Sequence, residues 1–246
     1  HSETLGESFC VLFGIADEER AAKVISSMPV GEFGPPIFSP QIVSQPDYHN
    51  NGVWPYVTSF WGKAAAKVGN ETALMHALAC NVRTASIYAT NYENYSFNTG
   101  NPYTTQINSP NMLWGLSGFM GLFHRTFFGL EFTKEGLALK PFVPTVLAGT
   151  RKLEAFPYRG MKLDITVSGS GNEIASCLVD GKEAEAFIPA DWTGNHSIEI
   201  VMKGEHKPSS VNMVGYIGMP EVPTVKAEAG KLQWEAISGA AKYWVL

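Results

Sequence analysis

The sequence predicts an α+β protein whose helices and strands occupy separate stretches of chain, and three observations predict it. Up to about residue 128, apolar residues recur at the spacing of one helix face. Beyond Gly129 they alternate with polar ones, the period of a half-buried strand. Turn-forming clusters at Lys134 to Gly136, Gly169 to Asn172 and Asp180-Gly181 cut this later region into short pieces, as in an antiparallel sandwich. The expected organisation is therefore helices over 1–128, a β-sandwich over 129–220, and a third piece over 221–246.

Each element follows from local signals. "TLGESFCVLFGIA", from Thr4, and "DEERAAKVISSM", from Asp17, read as two short helices, with Asp17 as N-cap and acidic residues behind it. From Pro29 to Asn51 the chain turns rich in Pro, Gly, Ser and Gln, a long loop of the kind kept for function. "VWPYVTSFWGKAAAKVG" places Trp54, Val57, Trp61, Ala64, Ala65 and Val68 on one helical stripe, with Pro55 in the first turn. Gly69 ends that helix and Asn70 caps the next, where Leu74, Leu78, Val82 and Ala85 keep the period, so the two form an antiparallel hairpin. A fifth helix runs from about Pro110 to Phe127 with Leu113, Leu116, Phe119, Met120 and Phe123 inward. Later, "MKLDITVSG" and "SIEIVM" alternate Leu163, Ile165, Val167 and Ile198, Ile200, Met202 with polar neighbours.

Composition bounds the function. Of 246 residues 45% are apolar and 17% charged, which describes a packed core and excludes disorder. A net charge of -5 offers no field for a polyanion, so nucleic acid is not an expected partner. No apolar run reaches the ~18 residues that a membrane helix needs, so no membrane partner is expected, and the first residues do not read as a signal peptide. Cys10, Cys80 and Cys177 read as free, mostly buried thiols. Sequons at Asn70, Asn94 and Asn195 are too short to carry weight alone.

"NYENYSFNTGNPY", Asn91 to Tyr103, sets one acid, Glu93, among three tyrosines and four asparagines. A carboxylate just past a helix C-terminus is mildly unfavourable, so its retention asks for a reason. The other polar-rich stretches are "PDYHNNGVWP", "TTQINSPNMLW" and the opening "SETLGES". Their amides donate and accept, and their indole and phenol rings stack on apolar faces, which suits a neutral, hydroxyl-rich ligand better than a phosphate. There is no phosphate loop, HExxH, paired CxxC, GxSxG or calcium-type ligand cluster, so neither a metal nor a cofactor is expected. Plainer readings stand beside these: Trp61 as core, and His76 and His124 as structural.

"ENYSFNTG" resembles the E-N-Y-N-P-x-T-G segment of the inverting, six-hairpin glycosidases of the GH63 and glycogen-debranching-like type, with Ser96 and Phe97 departing from it. "HNNGVWPYVTSFWGKAAAKVG" is similar to their H-N-G-x-x-W-P stretch, and "NMLWGLSGFMGLFHRTFFGLEF" to their last barrel helix running into a β-sandwich. The resemblance implies the C-terminal portion of an (α/α)6 toroid followed by the sandwich. It implies inverting hydrolysis of an α-glucoside or related oligosaccharide or polysaccharide, with Glu93 as general base and Asn94, Tyr95, Thr99 and Gly100 matching the motif. The substrate-binding set it points to is His49, Asn50, Asn51, Trp54, Tyr56, Tyr92, Asn94, Tyr95, Gln106, Trp114 and Glu3.

No residue matches the family's general acid, which lies upstream of the base, so the missing N-terminal part of the same polypeptide is the expected partner. Glu3, Glu7 and Asp47 are the secondary candidates for an acid. The abrupt opening at His1 and the closing "AKYWVL" point to a fragment, and "TVKAEAGKLQWEAISGAAKYWVL" resembles the first strands of a fibronectin type III module. Such an appended module and a sugar substrate fit a periplasmic or secreted bacterial protein. Two other functions stay open: a phosphorylase on the same scaffold, and a carbohydrate-binding or scaffolding module without turnover.

Overall fold

The computed structural model describes residues 1–206, 208–215, 218–219, 223–238, 240 and 243. Its five α-helices are α1 (Thr4–Leu12), α2 (Glu18–Ser27), α3 (Pro55–Lys67), α4 (Glu71–Tyr88) and α5 (Leu113–Thr126). The expected caps are in place. Asp17 accepts the Arg20 N–H at 2.8 Å, and Asn70 accepts the Ala73 N–H at 2.9 Å. Between α3 and α4 the chain reverses at Gly69, whose φ of 78° suits a residue without Cβ.

The helices gather around α3, which touches α1, α2, α4 and α5. Trp61, Ala64 and Ala65 on α3 are completely buried. Gly62 is where three helices meet: a Cβ there would stand 2.9 Å from the Ala77 Cβ of α4 and 3.1 Å from a Leu122 methyl of α5. The expected portion of an (α/α)6 toroid is overturned by this arrangement. Toroidal hairpins pack side by side around an open axis, whereas here the described helices cluster on one central helix and form no ring.

Two helix faces also differ from expectation. On α5 the buried positions are Gly115, Gly118, Leu122 and Thr126, while Leu113 is 77% exposed and Leu116 and Met120 also face outward. Glycine lets α5 approach α3 closely, since a Gly118 Cβ would lie 3.3 Å from the Tyr56 Cα. Contact with α3 therefore falls on the small-residue stripe, while of the expected bulky residues Phe119 and Phe123 do pack against the core. On α4, Val82 is exposed while Asn81 and Thr84 are buried, because Asn81 donates to the Ser59 hydroxyl of α3 at 3.1 Å. Among the described residues no helix is long and apolar enough to cross a membrane.

Beyond α5 the described residues build two sheets of three or more strands. Gly136–Leu139 lies between Leu130–Phe132 and Phe187–Pro189 in a three-stranded sheet. The five-stranded sheet runs Lys182–Glu183, Glu173–Val179, Gly194–Lys203, Met161–Gly169, Gly149–Tyr158. Alternation holds as the sequence predicts: Leu163, Ile165, Val167, Ile198, Ile200 and Met202 are buried. The sheet is not wholly antiparallel, however, for Met161–Gly169 and Gly194–Lys203 run parallel with Ile165 beside Ile198. Gly194–Lys203 inserts between Met161–Gly169 and Glu173–Val179, so running antiparallel to one makes it parallel to the other.

One hydrophobic core spans helices and sheets, and Phe127, Phe128 and Leu130 at the junction belong to it. After Lys203 the chain turns back toward the helices. His206 Nε2 donates to the Val143 carbonyl at 2.7 Å, Thr72 bonds Ser209, and Asn212–Met213 pairs in parallel with Pro29–Val30. Farther on, Lys226–Glu228 and Lys231–Gln233 form a hairpin whose turn residues, Ala229 and Gly230, both have positive φ. The expected boundary at 220–223 lies outside the described residues except for Pro223, as does the closing 241–246 except for Tyr243.

A Gly62→Val substitution wedges three helices apart and is expected to destabilise the fold by about 1–3 kcal/mol, measured by chemical denaturation. An unchanged midpoint would contradict the close approach. At the Asp180-Gly181 turn the Asp180 carboxylate takes the His196 Nδ1 at 2.8 Å and the Ser197 N–H at 2.9 Å. The His196 hydrogen bond, then the Ser197 N–H, hold its pKa below the ordinary value. A lowered folded-state pKa contributes stability above the unfolded value that is lost as pH falls through the folded one. Asp180→Asn is expected to cost up to about 1 kcal/mol at neutral pH, the gap to the parent narrowing below about pH 4. Thermal melts against pH check this, and a gap constant into strong acid contradicts it.

Candidate functional site

Two loops form the site, the one leading into α3 and the one between α4 and α5. They meet in a short antiparallel ladder, Gly52 beside Ser96 and Val53 beside Tyr95. Gly52 has no alternative residue here, since a Cβ would fall 1.7 Å from the Tyr48 carbonyl oxygen. Asp47 clasps the pair. Its carboxylate accepts from Asn51 Nδ2 at 2.9 Å and Ser96 Oγ at 2.8 Å, and its carbonyl accepts the Gln106 N–H at 2.8 Å. Asn108 Nδ2 donates to the carbonyls of Asn94 and Pro102, each at 2.8 Å, and Asn94 Nδ2 donates to the Ile107 carbonyl at 3.0 Å. Loops this long stay ordered because side-chain amides satisfy backbone groups that no sheet or helix would.

Aromatic rings line one side. The Trp54 indole is buried, with Nε1 donating to the Tyr48 carbonyl at 3.0 Å. His49 stacks on it at 5.0 Å and 15°, while Trp114, at the start of α5, meets its edge at 5.4 Å and stacks on Tyr56 at 5.0 Å. A second group holds Tyr88, Tyr92, Tyr95 and Tyr103. The Tyr92 hydroxyl donates to that of Tyr103 at 3.2 Å, and the Tyr95 hydroxyl accepts the Tyr92 N–H at 3.1 Å. Burial raises the Tyr95 pKa, and the Tyr103 hydrogen bond raises that of Tyr92, so these phenols stay protonated.

Glu93 stands in this company. Its N–H donates to the Ser109 carbonyl at 3.0 Å and its side chain is partly exposed. The carboxylate faces the Tyr48 hydroxyl: burial, then the charge and hydrogen bond of Glu93, raise the Tyr48 pKa. Tyr48 in turn lies 5.2 Å from the Trp54 ring. Glu93 is thus tied through Tyr48 to the mouth of α3.

The structure sorts the other expected residues. His49, Trp54, Tyr56 and Trp114 form one aromatic wall, and Tyr92 and Tyr95 belong to the tyrosine group. Asn50 is committed to its own loop, donating to the carbonyls of Ile42 and Gln45 and accepting the Ile42 N–H. Gln106 is exposed and joins through its backbone. Asn51 and Asn94 are buried with their donors used, and the Oδ1 of each has no hydrogen-bond partner among the described residues. Asn70 and Asn94 are buried, so the folded chain has no room for a glycan on either.

Glu3 is the N-cap of α1, its carboxylate accepting from the Leu5 and Gly6 N–H groups, and Glu7 accepts the Glu3 N–H at 3.1 Å. Sequence reasoning passed over Tyr48, the residue that touches the Glu93 carboxylate. Its signal was position alone, next to His49 in a loop already marked for function. Among the described residues no group of three or more His, Cys, Asp or Glu could hold a metal ion. No family model and no curated protein matches the chain.

Replacing Glu93 with Gln removes a negative charge beside Tyr48 and is expected to lower the Tyr48 pKa toward its ordinary value. Titration of the ring carbons by NMR with labelled tyrosine checks this. A Tyr48 pKa indifferent to the substitution would separate the two side chains.

Proposed function

We propose that Glu93 is the general base of an inverting glycoside hydrolase acting on an α-glucoside or a related oligosaccharide. One observation carries the reading: a partly exposed carboxylate sits beside a protonated phenol, next to a wall of indole and imidazole faces. Water can reach such a carboxylate, and an ionised carboxylate accepts the proton that water loses as it attacks. The Tyr48 hydroxyl faces the carboxylate, and the negative charge of Glu93 helps to hold that phenol protonated. The exposed rings of His49 and Trp114, backed by the buried Trp54, offer faces for the apolar side of a sugar while neighbouring amides and hydroxyls meet its rim. The likeness of "ENYSFNTG" to the base-bearing segment of inverting glycosidases supports the assignment locally. The fold lends it nothing, since the toroid of those enzymes is absent.

Inversion needs a second carboxyl, protonated, roughly 6.5–9.5 Å from the base, so that one donates to the leaving oxygen while the other activates water on the opposite face. Glu3 and Glu7 are held by hydrogen bonds at the start of α1, and Asp47 by the Asn51 amide and the Ser96 hydroxyl. The reading therefore takes the proton donor from another segment of the polypeptide. That same commitment of the nearby acids favours one second reading, a sugar-binding surface without turnover.

In the full-length protein, Glu93→Gln is expected to lower kcat on an α-glucoside by roughly 10²- to 10⁴-fold with KM little altered. The anomeric form of the first product, followed by NMR, is expected to be inverted. Near-normal turnover in the variant would rule out the base. Saturable sugar binding with no hydrolysis by the parent protein would select the second reading.

A further inference from the structure

A second site is drawn by charge and shape, and none of the residues discussed around Glu93 lines it. Between the helices and the strands lies an open groove of about 1340 Å³, bounded by α1, α2, α3, α5, the residues around Lys140 and the segment after Lys203. Lys63 of α3 projects into it, partly buried, with its ammonium 4.2 Å from the Phe60 ring centre. Gly121 of α5 makes room for it, for a Cβ there would stand 3.0 Å from Lys63 Nζ. Arg125 follows Gly121 by four residues, hence on the same face of α5. Two cations from two helices are so brought together.

Among the described residues Lys63 has no ion pair and no hydrogen bond, and the one charge that acts on it is Arg125, of its own sign. Arg125 stacks on Phe132 at 4.8 Å and gives one N–H to the Leu130 carbonyl at 2.8 Å, leaving other donors of its fork free of any carboxylate. The acids of the groove do not answer them. Glu131 is paired with Lys140 at 2.6 Å, and neither Glu173 nor Glu205 enters an ion pair among the described residues. Lys23 and Lys67 add to the positive side, while His206 is turned to the Val143 carbonyl.

We propose that this groove binds a small oxyanion, the carboxylate or phosphate group of a ligand, between the Lys63 ammonium and the Arg125 guanidinium. Lys63 is partly buried and Arg125 exposed, like charges side by side without a counter-ion, and an anion between them relieves their repulsion and the hydration that Lys63 has lost. The planar fork of Arg125 suits two oxygens of one group, and Lys63 supplies a point charge beside it. Burial, then Arg125, bring the Lys63 pKa down to about 8. A bound anion favours the charged amine and raises that value, so affinity falls as pH rises through about 8. The inference is independent of the role given to Glu93.

The test follows the Lys63 side-chain resonance of the full-length protein by NMR, at neutral pH and constant ionic strength. Inorganic phosphate and malonate are titrated in separate arms. A saturable shift confined to Lys63, with its pKa raised and affinity falling at least tenfold between pH 7 and pH 9, is the expected result for at least one probe. Which arm responds assigns the anion as phosphate or carboxylate. Lys63→Met and Arg125→Gln, each first shown to keep the parent's melting transition, are each expected to weaken binding at least tenfold. No saturable response to either probe at millimolar concentration would overturn the proposal. So would a response shared equally by all lysines, or binding undiminished in both variants.

Discussion

Everything in the helical half depends on how closely α5 is allowed to approach α3. Gly62 on one helix, with Gly118 on the other, removes the side chains that would hold the axes apart. Leu122 then fits against Gly62, and Ala77 of α4 closes on the same point. Packing of this kind is sensitive to a single methylene because the surrounding core is already filled. It also sets the geometry of the site, since the approach carries the first turn of α5 to the first turn of α3. Trp114 reaches Tyr56 and Trp54 for that reason.

A second layer of constraint is polar. The two loops around Glu93 hold few charges, and their order comes from asparagine, serine and aspartate side chains bonded to backbone. Asp47 is the centre of it, joining Asn51, Ser96 and Gln106 from three parts of the chain. An acid so engaged is a fastener and not a reagent. Glu93, in the same network by its N–H alone, keeps its carboxylate free to face Tyr48 and solvent. The unanswered Oδ1 atoms of Asn51 and Asn94 fall in the same network, where a buried acceptor without a donor costs about 1–3 kcal/mol.

One helix serves two regions of opposite character. Tyr56, in the first turn of α3, belongs to the aromatic wall, while Lys63, about 10 Å along the axis, belongs to the cationic groove. The first region has almost no positive charge and suits a neutral, hydroxylated ligand; the second has unpaired cations and suits an anion. The rigidity of α3 between them comes from Trp61, Ala64 and Ala65, all completely buried.

The helix caps at Asp17 and Asn70, the turn at Gly69, the strand alternation after Gly129 and the Glu93 loop were all legible in the sequence. Each is a local matter: a cap bonds three residues away, and a strand alternates whatever lies beside it. The α5 face, the parallel pair in the larger sheet, the clustering of helices on α3 in place of a ring, and the contact of Tyr48 with Glu93 were not. Periodicity reports which residues are apolar, but the buried face of a helix goes to whichever side permits the closest approach, and on α5 that side is glycine. Strand direction likewise follows from where the chain re-enters a sheet. Which side chain touches which, between segments some fifty residues apart, is settled only when the whole core has packed.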